Sequence, residues 1–283
     1  GKLWIFVNNS GLYKIDMSTF KIEDHYILLT DYEGNSLRTF YIDKKGYIWF
    51  GTIDGIYIFD PTDGKLSHYK HSRTDPFSLP NNSIWEISED RQSNVWIGTY
   101  SGTLCYVNID ENNAFKTYHP QNSGLNHTPV SAFAEDQQYL WVGTEGGGIN
   151  RMNKATGEFS YITSANSITS NNIKSLITDA GHNLWISTFM GGLDLYNVGR
   201  QKVTNFKHTK GAPHSLLVND VRKTILEGDS GMWVAYQYQK AEVSYFSFRE
   251  ESFTHFSLDS ISNNSYLFDI LRQGEKTLWA ISN

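Results

Sequence analysis

Seven of the eight tryptophans in this chain, Trp4, Trp49, Trp96, Trp141, Trp185, Trp233 and Trp279, are separated by 45, 47, 45, 44, 48 and 46 residues. A period in this range marks a chain built from one repeated supersecondary unit, which cannot bury its own apolar face and stacks on copies of itself. Chance placement of eight Trp would not put seven in register, so the repeat constrains the fold more than any other feature. It says little about chemistry, because a repeat of this kind is a packing device.

Aligned on the tryptophans, each repeat resolves into four short segments bounded by turn residues. The first is seen in Asn82-Ser83-Ile84-Trp85-Glu86-Ile87-Ser88-Glu89-Asp90 and in Asn172 to Asp179. The second carries the Trp, as in Ile48-Trp49-Phe50-Gly51-Thr52, Val95-Trp96-Ile97-Gly98-Thr99, Leu140-Trp141-Val142-Gly143-Thr144 and Leu184-Trp185-Ile186-Ser187-Thr188. Gly-bearing turns follow at Asp54-Gly55, Ser101-Gly102, Gly146-Gly147 and Gly191-Gly192. The third segment is typified by Ile56-Tyr57-Ile58-Phe59-Asp60 and Leu193 to Asn197, and the fourth by Lys65-Leu66-Ser67-His68-Tyr69. Short alternating segments joined by tight turns predict antiparallel meanders, and no apolar stripe of helical period runs beyond two turns. Radial stacking of four-stranded meanders gives an all-β fold, the β-propeller. In it, the small residue two places after Trp (Gly51, Gly98, Gly143, Ser187) is expected to leave room for the next blade. The Trp itself is expected to pack between blades.

Trp-type segments number seven and each other type six, so the first repeat lacks its first strand and the last ends after its Trp strand at Asn283. The chain reads as one propeller domain over residues 1–283, an incomplete seven-bladed ring, with closure as six blades the alternative. Gly1 and Lys2 stand directly before a Leu-Trp-Ile-Phe-Val run, with no basic-then-apolar leader, which reads as the start of an excised piece of something larger.

Composition excludes some functions. A formal net charge of −6 is the wrong sign for a general nucleic-acid binder. The single Cys105 forbids an intrachain disulfide framework and any multi-Cys metal site. No apolar run approaches the roughly 18 residues of a membrane span. The nine His are dispersed; His68 and His71 lack supporting carboxylates, and His208 and His214 lie near strand ends, so no metal centre or other cofactor site is expected. Gly146-Gly147-Gly148 precedes a strand rather than a helix, which removes it as a phosphate loop. Glu89-Asp90 and Glu135-Asp136 look like catalytic pairs in isolation, but an acid recurs there at Asp43 and Asp179, which points to turn capping.

The phrase Leu/Val/Ile-Trp-Ile/Val-Gly-Thr, followed by Gly-Gly-Leu/Ile and Tyr-Asn or Phe-Asp, resembles the two-component regulator propeller repeat, as does the linking phrase Ser78-Leu79-Pro80-Asn81-Asn82-Ser83-Ile84. The resemblance covers essentially the whole chain and is clearest in the middle four repeats. Trp4-Ile5-Phe6-Val7, Trp233-Val234-Ala235-Tyr236 and Trp279-Ala280-Ile281-Ser282 lack the Gly-Thr. Such repeats fill the periplasmic sensor regions of hybrid two-component systems in gut Bacteroidetes. The resemblance therefore implies a periplasmic, non-catalytic sensor domain, with a second propeller, an immunoglobulin-like module, one membrane helix and kinase and regulator domains in the same parent chain. WD and kelch repeats fit less well. Streptogramin-lyase-like propellers share the Asp43, Gly46, Trp49 rhythm and are the nearest enzymatic comparison.

One column breaks the repeat. Eleven residues before the Trp, in the first strand, stand Arg38, Trp85, Lys174 and Arg222, joined after one-residue shifts by Ser131 and Leu267. The first strand lines the central channel of a propeller, so cations and an indole near its mouth suit an anionic ligand or an oligosaccharide, through Arg forks and ring stacking. Loops between the second and third strands share that face and add Asp54, Tyr100, Glu145 and Phe189 as rim contacts. The bland alternative is that these side chains neutralise nearby acids or snorkel to water. Three functions follow: a sensor reading a glycan breakdown product, a glycan lyase or hydrolase needing a paired acid and base, and a scaffold or homodimerisation surface.

Overall fold

The computed structural model describes residues 2–7, 11–26, 37–100, 103–108, 112–237, 242–257, 267–273 and 277–282. The Ser101-Gly102 turn and the chain ends Gly1 and Asn283 lie outside them, as do the side chains of Leu267 and Trp279. Twenty-five strands and no helix are present among the described residues. The first sheet has three strands, β1 (Lys2–Val7), β2 (Gly11–Asp16) and β3 (Lys21–Tyr26). Five four-stranded sheets follow in chain order. They are β4 (Thr39–Ile42), β5 (Ile48–Thr52), β6 (Gly55–Asp60) and β7 (Lys65–Tyr69); then β8 (Ile84–Glu89), β9 (Val95–Thr99), β10 (Leu104–Asn108) and β11 (Asn112–Tyr118). Next come β12 (Val130–Glu135), β13 (Tyr139–Thr144), β14 (Gly148–Asn153) and β15 (Phe159–Ile162); then β16 (Ile173–Thr178), β17 (Leu184–Thr188), β18 (Gly192–Asn197) and β19 (Lys202–Phe206). The fifth comprises β20 (Val221–Glu227), β21 (Gly231–Tyr236), β22 (Glu242–Ser247) and β23 (Ser252–Ser257). A two-stranded sheet, β24 (Leu267–Gln273) and β25 (Thr277–Ser282), ends the series. Every sheet runs in sequence order, so these are blades of the propeller type; among the described residues the opening sheet has three strands and the final one two.

The tertiary contacts group into two compact units, Gly1–Ile97 with Tyr106–Phe115 and Gly98–Cys105 with Lys116–Asn283. Within the first, Leu12, Ile48, Phe50, Tyr57 and Phe59 form a core against which Trp4, Tyr26 and Phe40 pack. Within the second, Trp141 joins Ile173, Leu184, Ile186 and Tyr196 of the following blade, and Trp185 joins Leu193, Val221, Val234 and Phe246. Trp185 stacks on Phe248 at 5.4 Å and meets Phe246 edge-on at 5.6 Å, so the indole is an inter-blade wedge. Burial is complete along β5, β9 and β17 and falls away in the fourth strands β7 and β19.

Beside the Trp, the Gly and the Thr of the Trp-x-Gly-Thr phrase each have a physical duty. A Cβ on Gly51 would stand 2.7 Å from Ile84 Cγ2, on Gly98 2.8 Å from Val130 Cγ1, and on Gly143 2.6 Å from Ile173 Cγ2. Each is the first residue of the next blade's first strand, fully buried, so the small residue admits the neighbour as expected. The Thr hydroxyl clips the next turn: Thr52 Oγ1 donates to Gly55 O, Thr144 Oγ1 to Gly148 O and Thr188 Oγ1 to Gly192 O, at 3.0, 2.9 and 2.8 Å.

Candidate functional site

The hairpin of first and second strands has two ends of different character. At its turn end sits a carboxylate. Asp43 Oδ1 accepts the amides of Lys45 and Tyr47, and its Oδ2 accepts the indole N–H of Trp49 at 2.9 Å. Asp90 repeats this with Gln92, Asn94 and Trp96 (2.8 Å to the indole), Asp136 with Gln138, Tyr139 and Trp141 (2.9 Å), and Asp179 with Asn183 and Trp185 (3.0 Å). Glu227 takes the role for Trp233. Gly46, Ser93 and His182 occupy the left-handed position of the turn, with φ of 90°, 65° and 60°, which lets the carboxylate face back over the hairpin. The acidic column thus caps turns, as expected, and also satisfies the one polar atom of each buried indole. That second duty was missed in the sequence, although the spacing carries it: six residues from Asp43, Asp90 and Asp179 to their Trp, and five from Asp136.

The acids beside these caps are engaged too. Glu89 Oε2 accepts the Lys44 amide at 2.8 Å, and Glu135 pairs with Lys154 at 3.0 Å. Among the described residues no group of three or more His, Cys, Asp and Glu could hold a metal ion. Cys105 is buried, and burial pushes its thiol well above the usual range, so it is no nucleophile. His71 and His208 both use Nδ1 on a loop carbonyl, Leu79 O and Leu216 O, at 2.7 Å each; these are loop staples.

At the opposite end, the first strand carries a β-bulge. The register skips between Val130 and Ala132, Ile173 and Ser175, Val221 and Lys223, and Leu267 and Asp269. The extra residues are Ser131, Lys174, Arg222 and Phe268. Arg38 stands one residue before β4, and its amide donates to Gly51 O at 2.8 Å, the residue that Thr39 faces. Lys174 and Arg222 of the column are therefore bulge residues, and a bulge re-aims a side chain out of the alternating pattern; Arg38 stands at the corresponding place before β4, whose register with β5 is regular. Leu267 does not belong to the bulge series: Leu267 faces Ser282 as Val221 faces Tyr236, and Phe268 takes the bulge.

In the first unit, the Arg38 guanidinium lies 5.2 Å from the Trp85 ring centroid, a cation–π pair with Arg38 exposed. In the second unit, Lys174 Nζ is bonded to Glu145, a rim residue of the β13–β14 turn, and sits 5.6 Å from the Phe189 ring. Lys174 and Glu145 thus form a half-buried ion pair rather than a lone cation. Ser131 is buried and donates to Ile173 O at 2.7 Å, tying β12 to β16. Tyr100 is 53 % exposed, whereas Asp54 is held by Lys70 at 2.7 Å.

Residues 31–54 and 78–101 match the family model of the two component regulator propeller. A histidine kinase (P4) of Formosa agariphila is 26 % identical over 225 residues, 74 % of this chain and 16 % of the kinase. The extracellular domain of a hybrid two-component system of B. thetaiotaomicron superposes with a TM-score of 0.78 at 20 % identity, over 99 % of this chain and 37 % of that one. A second such extracellular domain from the same organism gives 0.52 at 20 % identity, over 98 % and 44 %. The chain spans less than half the length of each of these proteins. Two of its segments thus match the two component regulator propeller, and its fold is that of a β-propeller.

Proposed function

We propose that this chain is a sensor module of a hybrid two-component histidine kinase, held on the periplasmic side of the inner membrane and without catalysis of its own. It binds an oligosaccharide released by glycan breakdown, and the parent chain carries the signal inward. Signalling then requires that the ligand prefer one of two arrangements of the parent protein. The carrying observation is the bulge series. The same strand position that varies from blade to blade is the one that a bulge re-aims, while the position before it is apolar and packed in each blade, at Leu37, Ile84, Val130, Ile173 and Val221. Arg38 and Trp85 in the first unit, and Lys174, Arg222, Glu145 and Tyr100 in the second, are the contacts assigned to ligand. The likeness to extracellular domains of hybrid two-component systems supports the sensor reading. The non-catalytic reading is supported by the acids, since Asp90, Asp136, Glu89 and Glu135 are all engaged in caps and ion pairs. Calorimetric titration with defined oligosaccharides tests the proposal. Saturable binding is expected, weakened by Arg38→Ala, Lys174→Ala or Arg222→Ala, with ligand recovered unaltered. Binding untouched by all three substitutions overturns the site, and conversion of the ligand overturns the non-enzymatic reading.

A further inference from the structure

A second place in the molecule has the composition of a ligand site and lies away from the bulge series. Between β14–β15 and the β18–β19 hairpin opens a cleft of about 210 Å³ lined by Arg151, Ser160, Tyr161, Asn166, Tyr196 and Gln201, all in the second unit. This is below the ~300 Å³ typical of drug-sized ligands and suits a single sugar ring.

Arg151 is held rigidly. Its guanidinium lies 4.6 Å from the Tyr139 ring centroid and 5.9 Å from that of Trp141, and its Nε donates to Ser160 Oγ at 2.9 Å. That fixes the plane and leaves the two Nη groups as an unused fork. Among the described residues, no carboxylate lies within ion-pair distance of Arg151. The contrast is with Lys154 and Lys174, whose charges are met by Glu135 and Glu145. A half-buried guanidinium without an anion attracts one.

Tyr196 supplies an independent observation. Its ring packs edge-on to Trp141 at 6.4 Å and it lines the cleft, while its hydroxyl is not one of the buried polar atoms left without a partner, so the hydroxyl is open to solvent and to a ligand. Burial pushes its pKa up and Arg151 draws it partly back, so it stays a neutral donor. Beside these donors stand Gln201, Asn166 and the Tyr161 ring, 43 % exposed.

We infer that this cleft binds a hexuronate: the carboxylate bridges the Arg151 fork and accepts from the Tyr196 hydroxyl, and the ring lies against Tyr161 among the neutral polar side chains. The fork matches a planar carboxylate bidentately, and the hydroxyl and amide groups match a polyhydroxylated ring.

Titration calorimetry of the 283-residue chain with sodium glucuronate, glucose and sodium acetate tests this. Glucuronate is expected to bind saturably, and both comparators at least about tenfold more weakly, one for lack of the charge and one for lack of the ring. Arg151→Gln should weaken glucuronate by about tenfold or more and Tyr196→Phe by severalfold, the scale of hydrogen bonds to a charged group. Glucuronate binding that is lost with Arg38→Ala or Lys174→Ala but kept with Arg151→Gln would place the sugar on the bulge series and overturn the inference. Glucuronate binding no better than glucose or acetate overturns the inference, as does binding unaffected by Arg151→Gln. Should circular dichroism show that Arg151→Gln does not fold, Arg151→Lys, which keeps the charge and loses the fork, takes its place, and unweakened binding there overturns it equally.

Discussion

The two ends of each first hairpin are subject to opposite demands. At the turn end, Asp43, Asp90, Asp136 and Asp179 do one job in four blades, with indole distances between 2.8 and 3.0 Å. At the bulge end, some ten residues from the Trp, the blades present Arg38, Ser131, Lys174 and Arg222, each in a different chemical setting. The turn end is constant because a buried indole and a tight turn each expose donors that only one acceptor geometry satisfies. The bulge end is free to vary because the extra residue is outside the ladder; in one blade the residue there, Ser131, is buried and ties β12 to β16. Stability should therefore reside at the first end and specificity at the second.

The largest break in that comparison is Trp141→Ala. Trp141 is fully buried in the interior shared by two blades, and the substitution should cost about 3–5 kcal/mol in denaturant unfolding. Asp179→Ala comes next. It strands the Trp185 indole and the Asn183 amide, so about 1–3 kcal/mol is expected. Asp179→Asn keeps one acceptor and should recover part of the loss. A wild-type unfolding midpoint for Asp179→Ala would show that the constancy of the turn end is not energetic.

The division between ends also explains what was legible beforehand. Trp spacing, Gly51, Gly98 and Gly143, and the strand sequence could be read directly, because packing repeats itself and repetition is visible in one sequence. The turn acids were read as caps from their recurrence. Their indole bonds were not, since the partner lies five or six residues on, across a hairpin. The bulge column was found as variation against a repeating background, but its register was not. A bulge adds one residue without changing composition, so Leu267 was aligned where Phe268 belongs. The pairing of Lys174 with Glu145, 29 residues away, had no local signal. Arg151 and Tyr196 sit at ordinary strand positions, and only tertiary contacts distinguish them.

A smaller effect sharpens the comparison through pH. Asp194 is buried on β18 and anchors the loop leading into the bulged strand β16, accepting from the Thr169 amide at 2.8 Å, Thr169 Oγ1 at 2.9 Å and Asn205 Nδ2 at 2.6 Å. Burial raises its pKa above the ordinary 3.8 despite these donors. The native state thus holds this proton to higher pH than the unfolded chain does. Over the window from about 3.8 upward to the raised value, this group's contribution falls as pH rises, and it is fully favourable only below that window. Asp194→Asn should remove that slope from urea midpoints measured across acid pH while lowering stability at neutral pH, because one of its two acceptors becomes an amide N–H facing the Thr169 or Asn205 donors. An unchanged slope would show that Asp194 titrates normally.

The smallest effect is the most discriminating. Lys174 and Glu145 form an ion pair whose side chains are 19 % and 23 % exposed, and partly screened pairs are worth about 0–1 kcal/mol. Lys174→Ala removes that pair and the contact with the Phe189 ring, but leaves the bulge backbone in place, because the register skip is set by Ile173 and Ser175 against β17. Its unfolding midpoint should therefore lie within reach of wild type and well above that of Asp179→Ala, in the same sheet. If Lys174→Ala proved as destabilising as Asp179→Ala, the bulge end would be a structural element like the turn end, and its variation from blade to blade would reflect local packing instead of ligand choice.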